Sequence, residues 1–295
     1  MIRGTSNVKP PTVCSDISHG AEHQTLVNTH FQSNVARWRD VYERTEAGND
    51  GATYRNRLEL VLRWVDELAI SAREKVLEIG CGCGRCTVAL AQRGYVVNAI
   101  DSVAGMLDST EQLAVQAGVR SSISLGIGDA QNLAFPENSF GLVLAIGVIP
   151  YLYFPKRALS EMARVIRPGG FLVVTAGNRW RLNHVLDPWT CPALQPAKRV
   201  IGAIVQPFRK SRSIPQEVPL RFDSLRTFSR WISAAGLSKI KLRTVGFPPL
   251  TFQGRPIFAE RTSIRLNNWL QRLADRNVPG VRSSGMDYIV LARKV

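Results

Sequence analysis

Three glycines at alternate positions are the feature of this sequence that most directly suggests chemistry. Gly80, Gly82 and Gly84 follow an apolar run at residues 76–79 and precede a segment of helical character. Glycine permits positive φ and lets a ligand approach the backbone closely, while the start of a helix presents free N–H groups. The segment therefore predicts a ligand-binding turn between a strand and a helix.

Two carboxylates follow later strand-like runs. Asp101 comes after the run 96–100, 21 positions beyond Gly80, and Asp129 follows the run 122–125. A carboxylate at the end of a second strand can accept two hydrogen bonds from a ribose diol, and such charge-assisted bonds are roughly twice as strong as neutral ones. Asp129 is placed to bond an adenine amino group. The pattern predicts a nucleoside-containing ligand.

The spacing of the glycines argues against a nicotinamide dinucleotide. The dinucleotide fingerprint is G-x-G-x-x-G, whereas here the third glycine comes one residue early and Arg85 stands where it would be needed. A nicotinamide oxidoreductase remains an alternative, as does a non-catalytic module on the same fold that acts as a membrane or RNA adaptor.

The elements that would position these residues alternate along the chain. Strand and helix in turn, with short connections, predict an α/β protein with a parallel sheet covered on both faces. Strands are predicted at 75–79, 96–100, 122–125, 140–146, 171–175, 237–245 and 286–293, and helices at 31–46, 54–68, 85–93, 104–117, 156–165 and 224–235, with one of about 20 residues inside 246–282.

Four segments taken together resemble the class I S-adenosylmethionine (SAM) dependent methyltransferases, particularly those acting on small molecules, quinones, sterols and lipids. They are the glycine loop, Asp101, Gly128-Asp129-Ala130, and the run 135–144 followed by Arg167-Pro168-Gly169-Gly170. The resemblance is close over 54–175. It implies a Rossmann-like, seven-stranded, mostly parallel sheet with helices on both faces, an antiparallel last strand and helical insertions, and it implies SAM as the cofactor.

The resemblance also implies which residues contact the cofactor. It places Glu78 and the loop of Gly80, Gly82 and Gly84 against the methionine portion, and Asp101 on the ribose hydroxyls. The remaining contacts are Ser102 and Met106 beside the adenosine, Asp129 and Ala130 at the adenine edge, and Ile146 and Gly147 near the sulfonium. One departure is Gly141, where the family often has Asp.

The catalytic residues are not evident from the sequence. A methyl group on SAM carries its own leaving group, so the protein can act mainly by aligning the acceptor and excluding water. His184 and Tyr151 are the candidates for removing a proton from a hydroxyl acceptor. The alternatives are a surface position for His184 and aromatic packing for Tyr151. Cys81, Cys83 and Cys86 lack the paired knuckles of a zinc site, so we expect no metal.

The domain organisation predicted from these patterns is one domain with additions. Residues 1–22 are expected to form a disordered tail. Residues 23–70 form an N-terminal helical lid over the cofactor, or helices packed on the sheet edge. Residues 71–178 form the SAM-binding core, and 179–295 its C-terminal half, with substrate-facing insertions at 179–220 and 246–282.

Basic residues are concentrated in the second part of the chain. Residues 1–178 hold 17 Lys plus Arg and 17 Asp plus Glu, whereas 179–295 hold 21 against 6. An apolar run at 200–208 is bounded by basic pairs, and a later helix carries Leu266, Trp269, Leu270 and Leu273 at helical spacing beside arginines. Such stripes suit an anionic membrane surface, or alternatively an amphipathic helix packed on the domain. A lipid-like acceptor, such as a lipid-linked saccharide, an isoprenoid or a quinone, would fit both insertions.

Nucleic acid is a less favoured partner, because the basic residues are interleaved with aliphatic ones and no nucleic-acid-binding module is recognisable. A nucleic-acid methyltransferase therefore stays an alternative only. Residues 1–21 lack the apolar core of a secretory signal, and the odd count of five cysteines fits a reducing compartment. The expected location is the cytoplasm, with or without peripheral attachment to a membrane.

Overall fold

The protein is built around a single seven-stranded sheet accompanied by a two-stranded ribbon. The structure, a computed structural model, describes residues 13–43, 48–68, 70–71, 74–195, 218 and 220–295. The strands are β1 (Lys75–Ile79), β2 (Val96–Asp101), β3 (Ile123–Ile127), β4 (Phe140–Ala145), β5 (Ile166–Gly177), β6 (Leu237–Val245), β7 (Thr251–Phe252), β8 (Arg255–Pro256) and β9 (Asp287–Lys294). The helices are α1 (Val13–Ser33), α2 (Val35–Glu43), α3 (Gly48–Glu67), α4 (Arg85–Ala91), α5 (Ala104–Gln116), α6 (Pro155–Val165), α7 (Leu182–Leu186), α8 (Leu225–Ala234) and α9 (Glu260–Asp275).

The strand order is β3-β2-β1-β4-β5-β9-β6. Strands β1 to β5 pair in parallel, and β9 lies antiparallel between β5 and β6. The predicted mostly parallel sheet with an antiparallel last strand is confirmed. The order reverses between β1 and β4, and in open α/β sheets the crevice beyond the strand ends at such a point binds ligands.

The central strands are apolar because both faces of the sheet are covered. All six residues of β4 are buried. Along β1, Leu77 and Ile79 belong to one core cluster and Val76 to the other, as expected from the alternation of side chains along a strand. Burying a Leu or Ile side chain contributes about 1.5–3 kcal/mol. These strands therefore form a rigid support for the residues that follow their ends.

The N-terminal region differs from the sequence prediction. Residues 13–22, expected in a disordered tail, form the first part of α1, and the predicted helix 31–46 is divided between the end of α1 and α2, with a break at Asn34. Helix α1 contains too few apolar residues to stand out by pattern. It is instead held by specific contacts: Val27 is buried, and His23 Nε2 lies 2.8 Å from the Tyr151 carbonyl oxygen. Packing of this kind overrides local propensity.

The second insertion contains the helix whose apolar stripe was expected either to face a membrane or to pack on the domain. In α9, Leu270 and Ala274 are buried against Phe247. Two amide side chains of the same helix are also buried: Asn267 Oδ1 accepts a bond from the Phe247 N–H at 2.8 Å, and Gln271 Oε1 accepts one from the Gly246 N–H at 3.0 Å. The helix therefore packs on the domain through Leu270, while Trp269 of the same stripe is 50% exposed, and attachment of this stripe to a membrane stays a prediction.

Little of the first insertion can be compared with its prediction. It contains α7 and a 3₁₀ turn at Pro192–Leu194, whereas the apolar run 200–208 lies outside the described residues. In the described part of the chain, every helix is too short or too polar to span a bilayer.

Candidate functional site

A cavity of about 260 Å³ lies beyond the carboxyl ends of β1, β2 and β4. The glycine loop, the residues after β2 and β4, and helices α1, α2 and α3 contribute to its walls. Of the residues expected to contact a cofactor, the following line it: Glu78, Gly80, Gly82, Asp101, Ser102, Met106, Asp129, Ala130, Ile146 and Gly147. The structure thus brings together ten residues that the sequence placed at one site.

The glycine loop has the conformation that its sequence predicts. Gly80 and Gly82 have φ of 69° and 55°, a region that favours glycine. A Cβ on Gly80 would lie 2.5 Å from Val148 Cγ2, whereas a Cβ on Gly82 would meet no protein atom within 4 Å. Gly82 therefore leaves open space on the cavity side of the loop, which suits close approach of a ligand to the backbone.

Gly84 differs from the expectation, because it is not among the described residues that line the cavity. It precedes α4 with a φ of 81°, and a Cβ there would lie 2.9 Å from the Thr110 Cα. The third glycine therefore allows α4 to pack closely on α5. Its effect on a ligand is indirect, through the position of the loop.

Asp101 ties the loop to the end of β2. Its Oδ2 accepts a hydrogen bond from the Gly82 N–H at 2.9 Å, and its Oδ1 accepts one from the Val103 N–H at 3.0 Å. Burial raises the pKa of this carboxyl, an effect that these backbone donors oppose. Each oxygen retains a lone pair, so the carboxylate can still accept bonds from a diol in the cavity.

Glu78 is a buried carboxyl at the base of the cavity. Burial raises its pKa to about 7, against the effect of the Thr87 hydroxyl, which donates to Oε2 at 2.5 Å. A cationic group placed beside it would favour the ionised form. The site therefore holds a carboxyl that can respond to a positively charged ligand.

The adenine side of the predicted site is more open. Asp129 is exposed, and its Oδ1 accepts bonds from Gln131 through the backbone N–H at 2.8 Å and the side-chain amide at 3.2 Å. Ala130 is buried beneath it. These bonds fix the Asp129 carboxylate at the cavity rim, with its Oδ2 directed to no described partner.

Helices α1 and α2 line part of the cavity and contact the residues that follow β2. Asn28 Oδ1 accepts a bond from the Ser102 hydroxyl at 2.8 Å, and Gln32 Oε1 accepts one from the Gly105 N–H at 3.2 Å. Phe31 packs edge-on against Tyr151, with ring centroids 4.8 Å apart. Trp38 lines the cavity, and its indole N–H is buried without a partner among the described residues. A buried donor of this kind is available to a ligand.

The end of the cavity away from Asp101 carries charged side chains that the sequence did not single out. Arg57 Nη1 lies 3.4 Å from Asp287 Oδ2, and both side chains are buried. Gly147, near which the sulfonium was expected, has a φ of 79°, and a Cβ there would lie 3.4 Å from Arg57 Nη2. Arg181 lines the same cavity.

A sequence signal for Arg57 exists in retrospect. Thr53, Arg57, Val61 and Val65 recur every four residues along α3 and are all buried, so a lone arginine occupies an otherwise uncharged helix face. Arg181 and Asp287 offer no such signal. They come near one another through the pairing of β5 with β9, which joins residues more than a hundred positions apart in the sequence.

The two catalytic candidates have different positions. His184 is not among the described residues that line the cavity; its Nε2 contacts Arg181 Nη2, and burial lowers its pKa to about 4. This arrangement does not favour His184 as a base. Tyr151 does line the cavity, but burial raises its pKa, so the phenol stays protonated near neutral pH and can donate a hydrogen bond.

The three neighbouring cysteines are buried in separate surroundings. Cys81 Sγ lies 3.8 Å from the Thr110 hydroxyl, and Cys83 Sγ lies 3.6 Å from Met106 Sδ. Burial raises the pKa of Cys81, Cys83 and Cys86. They are therefore thiols rather than thiolates at neutral pH, and they pack as small apolar groups.

Gly141 stands where the family often has Asp. A Cβ on Gly141 would lie 2.4 Å from the Glu74 side chain, which pairs with Arg167 at 3.1 Å. The Glu74–Arg167 pair occupies this place in the fold, away from the cavity. The departure therefore leaves the site intact.

The sheet order, the glycine loop and Asp101 define a Rossmann-like protein with a nucleoside-binding crevice at the strand-order reversal. Residues 77–174 match the family model described as a methyltransferase domain. The solved structure of magnesium protoporphyrin IX methyltransferase from Synechocystis PCC 6803 with bound S-adenosylhomocysteine (SAH) is similar in fold, with a TM-score of 0.63, 14% identity, and coverage of 92% of this chain and 100% of that one. The chain contains a class I SAM-dependent methyltransferase domain.

Curated relatives support the same family. A demethylmenaquinone methyltransferase from Paenarthrobacter aurescens is 29% identical over 62% of this chain and 71% of its own length. An uncharacterized methyltransferase from Mycobacterium tuberculosis is 30% identical over 56% of this chain and 62% of its own. A bifunctional biotin-biosynthesis protein from Teredinibacter turnerae is 27% identical over 59% of this chain, which spans only 33% of that protein. The chain thus spans less than two thirds of the length of several of these relatives.

Proposed function

We propose that this protein transfers a methyl group from SAM to a small-molecule or lipid-like acceptor. The observation that carries the proposal is one continuous cavity whose walls combine the glycine loop and Asp101 with aromatic side chains and two arginines. The open space beside Gly82 and the unused lone pairs of Asp101 fit the cofactor that the domain's family uses.

In this proposal each part of the cavity has a distinct task. Asp101 holds the ribose hydroxyls, Glu78 and the loop from Gly80 to Gly82 hold the methionine portion, and Asp129 meets the adenine. SAM, when bound, supplies a methyl group on a positively charged sulfonium, which the acceptor's lone pair attacks as the carbon–sulfur pair returns to sulfur. Gly147 leaves room for the acceptor at the reacting end.

The remaining task is to orient the acceptor and keep water away. Phe31 of α1, Trp38 of α2 and Tyr54 of α3 form a continuous aromatic group in the cavity wall, with ring centroids 5.6 Å apart between neighbours. Holding an acceptor in attack geometry can lower the barrier by several kcal/mol without a base. Such a wall suits an apolar body, as in the demethylmenaquinone that names one relative or the geranyl diphosphate that names a structural neighbour.

The cofactor assignment is tested by calorimetric titration with SAM, SAH and NAD. We expect micromolar binding of SAM and SAH and none of NAD. Asp101→Ala should weaken SAH binding on the order of tenfold or more, because it removes charge-assisted bonds worth about 1.5–3 kcal/mol. Asp108→Asn changes an exposed carboxylate on α5 and is the matched control. Failure of the folded wild-type protein to bind SAH would refute the proposal.

Attachment to an anionic membrane surface is a second proposal, now placed at a different surface from the one the sequence indicated. We define the ribbon patch as Trp189, Phe252 and Ile257, three exposed apolar side chains near Arg255. Asp187 joins the segment after α7 to the two-stranded ribbon, because its carboxylate accepts hydrogen bonds from the Thr251 hydroxyl at 2.6 Å and the Gly254 N–H at 2.9 Å. Exposed aromatic and aliphatic groups beside a cation suit the interface of an anionic bilayer.

A further inference from the structure

Arg181 is a cation in the acceptor end of the cavity with no carboxylate at salt-bridge distance among the described residues. The single carboxylate at this end, Asp287, lies 3.4 Å from Arg57 instead. Glu78, Asp101 and Asp129 belong to the other end, near the glycine loop. Two guanidinium groups therefore face one carboxylate, and the local charge in the described wall is positive.

The contacts of Arg181 leave part of its guanidinium without a hydrogen bond. The group stacks on Phe222, with Cζ 4.2 Å from the ring centroid, and its Nη2 contacts the neutral His184. Its Nε is buried and has no hydrogen-bond partner in the described part of the chain. Stacking and the histidine contact fix the plane of the group, so its free donor edge has a defined direction.

Burial without an anionic partner is costly for this group. Burial lowers the pKa of Arg181 to about 10, an effect that Asp287 opposes only from a distance. A buried charge is normally paired or hydrogen-bonded, and guanidinium groups match carboxylate and phosphate oxygens in a planar fork. An arginine held in this state is suited to an anion that arrives with the ligand.

We propose that Arg181 binds an anionic group of the acceptor, a carboxylate or a phosphate, and so selects acidic acceptors. This inference rests on the proposed methyltransferase function and deepens it. Phe222 and His184 act as positioning residues that hold the guanidinium plane. Tyr54, Tyr151 and Leu220 line the same cavity and would contact the apolar body of the acceptor.

Arg57 and Arg181 have different surroundings in the cavity wall. Arg57 lies beside Gly147, at the reacting end of the cavity, and is already paired with Asp287. The charge of Arg57 is therefore already balanced by a carboxylate, whereas that of Arg181 is not paired with a carboxylate among the described residues. Arg181 follows β5 and stacks on Phe222, so the two arginines can be tested independently.

The test uses SAH-saturated protein and two families of probe molecules. Decanoate, decyl phosphate and decanamide form one family, and 2-naphthoate, 2-naphthyl phosphate and 2-naphthamide the other. Titration calorimetry measures the affinity of each for wild type, Arg181→Gln, Arg181→Lys and Arg179→Gln. Arg179 is an exposed neighbour outside the described cavity wall and is the matched control. The carboxylate and phosphate members show which anion is preferred.

We expect at least one acid to bind about tenfold more tightly than its amide, consistent with one charge-assisted hydrogen bond. Arg181→Gln should abolish that preference, Arg181→Lys should retain part of it, and Arg179→Gln should leave it unchanged. The affinity for SAH should stay the same in all four proteins. If Arg181→Gln does not fold, the test rests on Arg181→Lys, which keeps the positive charge but lacks the planar pair of donors and should therefore show a smaller preference for acids.

Three outcomes would overturn the inference: equal binding of acids and amides, binding of no acid at all, or a large loss of SAH affinity in Arg181→Gln. The last would assign the guanidinium to the cofactor. Failure of wild-type protein to bind SAH is a different result, because it would refute the proposed function itself.

Discussion

At the scale of single residues, the buried carboxyl of Glu78 should make cofactor binding depend on pH. Its pKa is raised to about 7 by burial, so the group is partly protonated at neutral pH in the free protein. An ammonium group of the cofactor favours the ionised form, and a proton must leave for it to bind well. We expect the affinity for SAH to rise severalfold between about pH 6 and pH 8, measured by calorimetry.

The control for this prediction is Glu78→Gln, which can still accept a bond from the Thr87 hydroxyl through its amide oxygen. It should bind SAH more weakly than wild type at about pH 8 and should show a flatter pH profile. A wild-type affinity that did not change over this interval would show that Glu78 does not contact the cationic part of the cofactor.

The same carboxyl should affect stability in the free protein, with the opposite dependence on pH. Its folded-state pKa of about 7 lies above the ordinary value of 4.5, so the folded protein binds more protons than the unfolded chain between these values. Stability therefore falls as pH rises through this window, by up to about 3 kcal/mol. In urea unfolding, the free energy of unfolding of Glu78→Gln minus that of wild type should be larger at about pH 8 than at about pH 5.

Similar free energy differences between Glu78→Gln and wild type at both pH values would contradict this account. The thiols of Cys81 and Cys86 lie close to Glu78 and have raised pKa values, so they remain neutral over the interval. The comparison therefore isolates the carboxyl.

Residues at strand ends could be predicted from the sequence, whereas residues brought together by distant packing could not. Asp101 and Gly82 each follow a recognisable strand, and the fold leaves them at one edge of the sheet. Arg57 and Arg181 reach the cavity from a helix outside the sheet and from a turn after β5. The recurrence along α3 marks Arg57 as buried, but the approach of the two arginines depends on how α3 and β9 pack, which no local pattern records.

At the scale of elements, the glycine loop positions α4 against α5, and Gly84 should be essential to that packing. Gly84 and Gly118 both have positive φ, of 81° and 69°, but only at Gly84 would a Cβ meet other atoms, 2.9 Å from the Thr110 Cα. Gly118→Ala should cost about 1–2 kcal/mol from backbone strain alone. Gly84→Ala should cost clearly more, because the clash involves the backbone.

Chemical denaturation of both alanine variants measures the difference. The Gly118 variant is the matched control for the backbone conformation. Equal losses of unfolding free energy would show that α4 and α5 can separate without penalty and that the close approach at Thr110 is not needed.

Helix α1 should control how fast the cofactor leaves. Asn28 and Gln32 bond to Ser102 and Gly105, two residues at the start of the α5 region. Release requires these contacts to open, and each hydrogen bond contributes about 0.5–1.5 kcal/mol. Replacing both residues with alanine should raise the SAH dissociation rate about fivefold or more in stopped-flow measurements.

Thr29→Ala is the control on the same helix, because Thr29 is exposed and its hydroxyl donates to the Thr25 carbonyl oxygen and to no other described residue. Its dissociation rate should match that of wild type. An unchanged rate in the double variant would mean that α1 packs on the domain without gating the cavity.

The elements themselves were predicted unevenly, and for physical reasons. Strands β1, β2 and β4 are mostly apolar because most of their residues are buried, so composition largely reveals them. Helix α1 has no comparable stripe and is held by Val27 and a few polar contacts. Its start at Val13 could not be inferred, because the sequence there shows no apolar periodicity.

At the scale of the whole molecule, the fold determines which surfaces of the basic segment after residue 178 are exposed. Asp187 fixes the loop after α7 to the ribbon of β7 and β8, and both belong to this basic half. The apolar stripe of α9 is packed on the domain through Leu270, with Trp269 half exposed. The ribbon patch is therefore the surface on which membrane attachment should be tested.

We expect the protein to sediment with vesicles that contain about one quarter anionic lipid, and not with neutral vesicles. Binding should weaken between about 0.05 M and about 0.3 M salt, because the screening length shortens.

The ribbon patch is tested by replacing Trp189 and Phe252, whose side chains are 60% and 56% exposed, with serine. The double variant should have a partition coefficient about tenfold lower, since burying such groups in a bilayer is favourable. Trp269→Ser changes an aromatic residue on α9 that is 50% exposed, and it should leave binding unchanged. If Trp269→Ser loses binding while the double variant keeps it, the membrane-facing surface is α9. If the wild-type protein does not bind anionic vesicles, the basic residues after 178 do not serve membrane attachment. An acidic acceptor in solution would then be the partner that their charge favours.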